Sequence, residues 1–425
     1  MPELAWIDAA LTAARPQAIG ALLRYFRDLD YAEEAFQDAC LKALKAWPQN
    51  GPPRDPAAWL IFVGRNAGVD QVRRRKKQQA LPDEEVLSDL EDVEAPLAER
   101  LDGAHYRDDI LRLLFICCHP GLPATQQIAL ALRIVCGLSV KQIARAFLVS
   151  EAAMEQRITR AKARIAAADT PFEAPGPIER SERLAAVAAM VYLVFNEGYS
   201  ATGERAPLQA GLCTEAIRLA RLLLKLFLAE PEIMGLLALM LLQHARSPAR
   251  LDAEGAIVLL EDQDRRIWDR AMIAEGLAVL DKAMRHRRPG AYQIQAAIAA
   301  LHDRAASPEE TDWEEIDLLY ASLERLQPSP VVTLNRAVAA GKARGPAAGL
   351  ALIEPLADKL SGYFHFFGVK GAFLLQLGRA EEAREAFDRA IALANTPAEA
   401  AHIRMQLDRL QQDGGHVGTG RRRSS

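Results

Sequence analysis

The residues of this chain best placed to do chemistry run from Leu138 to Ile165, LSVKQIARAFLVSEAAMEQRITRAKARI, and that chemistry is recognition rather than bond breaking. Ser139 followed three residues on by Gln142 forms a capping box, so a short helix begins there. Ser150 offers a second N-cap after Phe147-Leu148-Val149. Along the helix that follows, Met154, Ile158, Ala161 and Ile165 form one apolar stripe. The other face carries Ala152, Glu155, Gln156 and Thr159, bordered by Lys141, Arg157, Arg160, Lys162 and Arg164. Small and amide side chains can approach base edges in the major groove while cations hold the phosphates. On these residues alone, a DNA-reading helix-turn-helix and an ordinary helix pair with a solvated basic face both remain open.

A second constellation lies upstream. Asp30 to Trp47 predicts a helix capped by Asp30, with Glu33, Glu34, Gln37 and Asp38 on its polar, acidic side. A Pro/Gly-rich loop, Pro48 to Pro56, is expected next. The following helix starts apolar, with Trp59, Leu60 and Phe62, continues through Asn66 and Asp70, and ends in five consecutive cations: Arg73, Arg74, Arg75, Lys76 and Lys77. Cations in a last turn suit the helix dipole and also suit nucleic-acid phosphates. Aromatic residues beside a basic strip are what single-stranded DNA needs for stacking, although Trp59 reads equally as a core residue.

Together these segments resemble regions 2 and 4 of the extracytoplasmic-function sigma factors, a subgroup of the sigma-70 family. The resemblance rests on Ala32-Glu33-Glu34 with Gln37-Asp38, on Trp59-Leu60 followed by Asn66, Asp70, Arg73 and Arg74, and on the helix-turn-helix ending Arg160-Ala161-Lys162. It implies that Glu33, Glu34, Gln37 and Asp38 dock on the β′ clamp helices of core RNA polymerase. It implies that Pro48 to Pro56 captures a base flipped from the minus-ten element of promoter DNA, with Trp59, Asn66, Asp70 and Arg73 to Lys77 along the melted strand. It also implies that the helix-turn-helix, from Lys141 and Ser150 to Arg164, reads the minus-35 duplex.

Charge fits once it is divided by segment. The whole chain carries a formal net charge of −4. Nine acidic residues fall between Asp83 and Asp102 against Arg100 alone, whereas the rest of residues 1–169 carry 21 Lys/Arg and 14 Asp/Glu. Two basic modules joined by an acidic linker are therefore expected: a region 2 domain over 1–77, a linker over 78–106 and a helix-turn-helix domain over 107–169. Cys117-Cys118-His119 lacks a second metal-binding half, so buried thiols are the expected reading and neither metal nor cofactor is expected. No phosphate loop or nucleophile elbow is evident, and an enzyme is not expected. No secretory signal or membrane-spanning run is evident, which predicts a cytoplasmic protein without membrane partners.

After the proline-rich break at Pro171 to Pro177, an all-α domain is expected over 178–412, followed by an aperiodic tail over 413–425. Gly371, Leu374, Ala383, Phe387 and Ala390 match Ala337, Ala340, Gly349, Ile353 and Leu356 in residue class at an offset of 34. That is the period of a tetratricopeptide repeat, which implies an α-solenoid. Leu212 to Ala245 and Ala253 to Arg285 read as further helical hairpins. Asn196, Glu197, Tyr199, Tyr292, Gln293, Gln295, His302, Asn335 and Arg336 are candidates for a groove that binds a regulatory protein or peptide, or for internal hydrogen bonds that pin the helices. A subgroup of extracytoplasmic-function sigma factors carries such an extension, and this chain resembles it. A polymerase-independent helix-turn-helix regulator with a sensing domain is the alternative, and a solenoid scaffold whose DNA-like helices only pack is a third.

Overall fold

The computed structural model describes residues 5–51, 53–76, 103–147, 149–167, 177–199, 206–252, 258–394 and 403. The regular architecture is all-α, as expected, with no strand among the described residues. Most of the acidic linker and the whole 413–425 tail lie outside them. The chain divides into two compact units, residues 1–198 with 214–219 and residues 199–213 with 220–425.

In the first unit α1 (Ala5–Phe26), α2 (Leu29–Asn50) and α3 (Pro56–Lys76) pack as a three-helix bundle around Ile19, Leu22, Leu23, Phe36, Ala39 and Leu60. Each large aliphatic or aromatic side chain buried there contributes about 1.5–3 kcal/mol. Asp28, rather than the expected Asp30, caps α2, accepting the amides of Asp30 and Tyr31 at 2.8 and 3.0 Å. The helix also runs through Pro48, which was expected to open the loop. A proline in a last turn forfeits only one backbone bond, and the stop comes at Gly51, whose φ of 78° lets its amide reach the Trp47 carbonyl at 2.9 Å. Asp55 then caps α3 through the amides of Ala57 and Ala58.

The helix-turn-helix portion comprises α4 (Gly103–Cys117), α5 (Ala124–Ile134), α6 (Val140–Ala146) and α7 (Glu151–Ala167), with α5 and α6 both packed on α7. α4 lies against α1 at Gly20, where a Cβ would stand 2.7 Å from the backbone oxygen of Asp109. α8 (Pro177–Tyr199) belongs to the same unit up to Gly198. Cys117, Cys118 and Cys136 are buried free thiols, and burial pushes Cys118 up to about 12. Among the described residues no group of three or more His, Cys, Asp or Glu is placed to hold a metal.

The helices that follow are α9 (Ala206–Leu226), which crosses the boundary between the units, and α10 (Pro231–Ala245). In the second unit α10 is apolar on all sides, so it is buried outright, with α11 (Arg270–Met284) and α12 (Ala291–Arg304) against it. The hairpin expected over 253–285 is not formed: α11 is its one α-helix, and residues 253–257 lie outside the described set. Asp264 and Asp269 each cap a fresh start, accepting the amides of Arg266 and Met272, and so interrupt the run. Then come α13 (Trp313–Leu326), α14 (Pro330–Arg344), α15 (Pro346–Ile353), α16 (Phe364–Gln376) and α17 (Ala380–Leu393). α14 and α16 begin 34 residues apart, as do α15 and α17, and Gly371 admits the Phe387 ring, which a Cβ would meet at 2.6 Å.

The close approach at Gly20 gives a direct test. Gly20→Ala should lower the stability of the first unit by about 1–3 kcal/mol through overpacking against backbone that has no freedom to yield. Gly211→Ala, facing open space on α9, should be neutral or stabilising by up to about 1 kcal/mol. Equal thermal shifts for the two variants would refute the contact.

Candidate nucleic-acid interface

The capping box forms as expected: the Gln142 amide donates to Ser139 Oγ at 3.2 Å, and the Ser139 amide donates to Gln142 Oε1 at 2.8 Å. Ser150 Oγ accepts the Ala153 amide at 3.2 Å and starts α7. Met154, Ile158, Ala161 and Ile165 are buried, so the opposite face is fixed outward by packing. That face presents Ala152, Glu155, Gln156, Thr159 and Arg160, all exposed, with Arg157 half-buried at its border and Ser150 and Lys141 exposed beside it. Arg164 is exposed and reaches the Gly121 carbonyl at 3.3 Å.

Lys162 differs from these. Its Nζ donates to Asp30 Oδ1 at 2.6 Å and to Glu33 Oε2 at 2.8 Å, tying α7 to α2. Burial by itself would lower its pKa, but the bonds to the two carboxylates outweigh burial and hold it above the usual lysine value. Glu33 is only 5% exposed, with Arg133 at 2.8 Å and Arg15 at 3.6 Å from its other oxygen. Arg15 also donates to the carbonyls of Ile134 and Arg133 at the end of α5, at 2.9 and 3.2 Å. The expected acidic face of α2 is therefore divided. Glu33 points into the α7 side because three cations gather on it, Glu34 and Asp38 are half-buried, and Gln37 is exposed. A second buried carboxylate, Asp109 of α4, pairs with Arg24 of α1 at 3.3 Å and with Arg112 at 2.8 Å.

On α3, Trp59 is buried rather than presented to DNA. Its ring lies 5.4 Å from Trp47, edge to face, and Trp47 stacks on Trp6, so an aromatic cluster claims it for the core. Asn66 is exposed. Asp70 and Arg73, Arg74, Arg75 and Lys76 fall in the last turns of α3, and Lys77 lies outside the described residues. Close to Asn66 in the chain is a feature that pattern reading missed: Arg65 lies over the exposed ring of Tyr25, 4.3 Å from its centroid. A cation stacked on an open aromatic face suits an unpaired base. Only the pairing of α1 with α3 creates it, so spacing along the chain gives no sign of it.

The polar residues singled out in the C-terminal region fall in both units. Asn196 is half-buried and Glu197 exposed in the first unit, whereas the others belong to the second. Tyr199 lies under Arg250, 4.5 Å away. Tyr292 and Gln293 donate their amides to Glu232, Gln295 donates to the Ala291 carbonyl, and His302 packs edge-on against Trp313. Burial pushes His302 down to about 4. Arg336 pairs with Asp317 and Glu324 at 2.9 and 2.7 Å, and Asn335 is exposed.

The second module is a packed helix-turn-helix that presents an amide and cations on its outer face, the arrangement of the DNA-binding helix-turn-helix class. The family follows from comparison with known proteins. Residues 11–78 match sigma-70 region 2 and residues 112–165 match sigma-70 region 4, which supports a factor of the sigma-70 family. Residues 183–284 match a family of unknown function, DUF6596. The chain is 73% identical over 410 residues, 96% of its own length and 97% of the other's, to an uncharacterized protein of Rhizobium meliloti (strain 1021). No solved structure matches. Among the described residues, no helix is long and apolar enough to cross a membrane.

The Glu33 cluster sets a clear expectation. Glu33→Ala leaves Arg15 and Arg133 without their shared counter-charge and Lys162 with Asp30 alone, and should destabilise the first unit by about 3–5 kcal/mol. Gln37→Ala on the exposed side of α2 should change stability by no more than about 0.5 kcal/mol. Urea unfolding of both variants measures this, and a Glu33→Ala loss below that of an ordinary surface change would count against the cluster.

Proposed function

We propose that this chain is a sigma factor of the extracytoplasmic-function type, which recruits core RNA polymerase to promoters and catalyses no reaction itself. The observation that carries the reading is the outer face of α7, where packing fixes Gln156, Thr159 and Arg160 outward beside Lys141 and Arg157. In this reading α6 and α7 dock in the minus-35 duplex. Glu33, Glu34, Gln37 and Asp38 engage the β′ clamp helices, and Asn66 with the cationic end of α3 follows the melted minus-10 strand. Residues 178–412, whose helix pairs over 330–393 repeat at an offset of 34, act as a tetratricopeptide-like arm that regulates the factor through a protein or peptide contact.

Glu33 cannot bind a clamp helix and Lys162 at once. Polymerase engagement therefore requires the α2–α7 ion pairs to open, and Lys162, once released, faces the DNA-reading side with its neighbours. The apparent affinity for polymerase is then reduced by the fraction of chains that are closed.

Run-off transcription from a genomic fragment library, with purified core polymerase, tests the reading. New position-specific transcripts that need the chain are expected, and silence from both the full-length chain and a chain truncated after Thr170 would favour a polymerase-independent regulator. Arg160→Ala should weaken promoter binding across sequences and reduce the salt slope by about 1, whereas Gln156→Ala should relax preference at one base pair. Asp30→Asn, which removes the charge of one Lys162 partner, should lower the polymerase concentration needed for half-maximal transcription by up to about fivefold, the effect of an exposed ion pair. An unchanged or higher requirement would sink the opening step.

A further inference from the structure

The second unit contains a cavity of about 400 Å³ that the function proposed above does not use. Its walls are Met284, Pro289, Ile294, Ala297, Leu319 and Leu326, and its lining is overwhelmingly apolar. Met284 and Leu326 stand 58% and 53% exposed side by side at this cavity. Three arginines, Arg287, Arg288 and Arg325, also line it, and no acidic side chain does. Glu230 approaches Arg288 only at 3.7 Å, from outside the lining. One of the N–H groups of Arg325 donates to Ser322 Oγ at 3.0 Å, which steadies the guanidinium at the wall.

The site is held in shape by a fixed turn. Glu232 of α10 accepts the amides of Tyr292 and Gln293 at the start of α12, at 3.1 and 3.2 Å, and the Gln293 side-chain nitrogen at 3.1 Å. That same nitrogen donates to the Arg288 carbonyl at 2.7 Å, so the turn bearing Arg287 and Arg288 is tied to the start of α12. Gly235 lets the α12 backbone come close enough, since a Cβ there would lie 2.6 Å from the Gln293 nitrogen. Arg287 has a φ of 50°, a left-handed conformation that an arginine adopts only where its surroundings enforce it.

We propose that this cavity binds a small amphipathic anion, a medium-length acyl or aryl chain ending in a carboxylate. The chain lies against the apolar walls and the head group accepts from Arg287, Arg288 and Arg325. A neutral apolar molecule would bring no counter-charge to Arg287 and Arg325 and would leave Arg288 with Glu230 alone. A nucleic-acid phosphate would satisfy the cations and leave the apolar walls empty.

Titration of the full-length chain with undecanoate carrying a terminal dansyl group reads binding directly through the rise and blue shift of its emission. Saturable binding is expected, with decanoate displacing the probe at least tenfold more effectively than methyl decanoate. The double variant Arg287→Ala/Arg325→Ala, both at solvent-accessible positions, should lose at least tenfold in affinity for the acid and little for the ester. Ala297→Trp should fill the cavity and abolish binding, with an unchanged circular dichroism spectrum showing that the fold survives. Lack of saturable binding, equal competition by acid and ester, or undiminished binding by the double variant would overturn the proposal. Displacement of the probe by short duplex DNA as effectively as by decanoate would overturn it in favour of a phosphate-binding surface.

Discussion

The first unit depends above all on the buried carboxylate of Glu33. Glu33 sits on α2 with almost no solvent, and a lone charge there would cost several kcal/mol. It is tolerated because Arg15 comes from α1, Arg133 from α5 and Lys162 from α7. Those three helices cannot shift independently without leaving a buried charge unpaired, so one acid fixes the relation of the DNA-reading helix to the three-helix bundle within this unit. Arg15 strengthens the arrangement by donating to the last carbonyls of α5, where the helix dipole already favours a cation. Asp109 repeats the logic on a smaller scale between α1 and α4, at the place where only a glycine, Gly20, permits the backbones to meet.

A contact of this kind differs from a hydrophobic interface in how it can be undone. Apolar surface separates gradually and always at a cost. An ion cluster separates with little net cost if each charge finds water or another partner, since the desolvation penalty is returned as the attraction is lost. Asp30 is largely exposed even while bonded to Lys162, so water already reaches one edge of the cluster. The acidic face of α2 and the basic face of α7 thus hold each other in a form that a charged partner of either sign can compete for.

What was legible in the sequence was local. The capping box at Ser139, the cap at Ser150 and the stripe from Met154 to Ile165 depend on residues within a few positions of one another, and each forms as its spacing predicts. The pairing of α14 with α16 and of α15 with α17 at one offset was legible for the same reason, because a repeat writes the same packing twice. Contacts made across the fold were not legible. Glu33 and Glu34 are adjacent and identical in type, yet only Glu33 points where α7 arrives from 129 residues away. Trp59 reads as either a DNA-facing or a core residue until Trp47 and Trp6 are placed beside it. Pro48 has the propensity of a loop residue, but one lost hydrogen bond in a last turn is a smaller effect than the packing of Trp47 just before it.

In the second unit the same accounting of charge separates structural groups from exceptional ones. Arg336 and Arg344 share Asp317, Arg246 lies beside the buried Asp303, Arg221 meets Glu275 and Lys342 meets Glu261. Each cation stands beside a carboxylate from another element, which is how a helical array holds its layers in register. The polar residues that looked like a groove in the sequence follow this pattern: Arg336 is an internal tie, and Gln293 with Glu232 caps a helix start. Arg287, Arg288 and Arg325 depart from the pattern by gathering around an apolar hollow, where among the described residues only Arg288 has a carboxylate beside it, Glu230 at 3.7 Å. A surface shaped only by packing would close such a hollow with side chains or screen its cations with carboxylates. Here the hollow stays open and Glu230 screens only Arg288, on a turn anchored by Glu232, so shape and charge are both left open to a ligand.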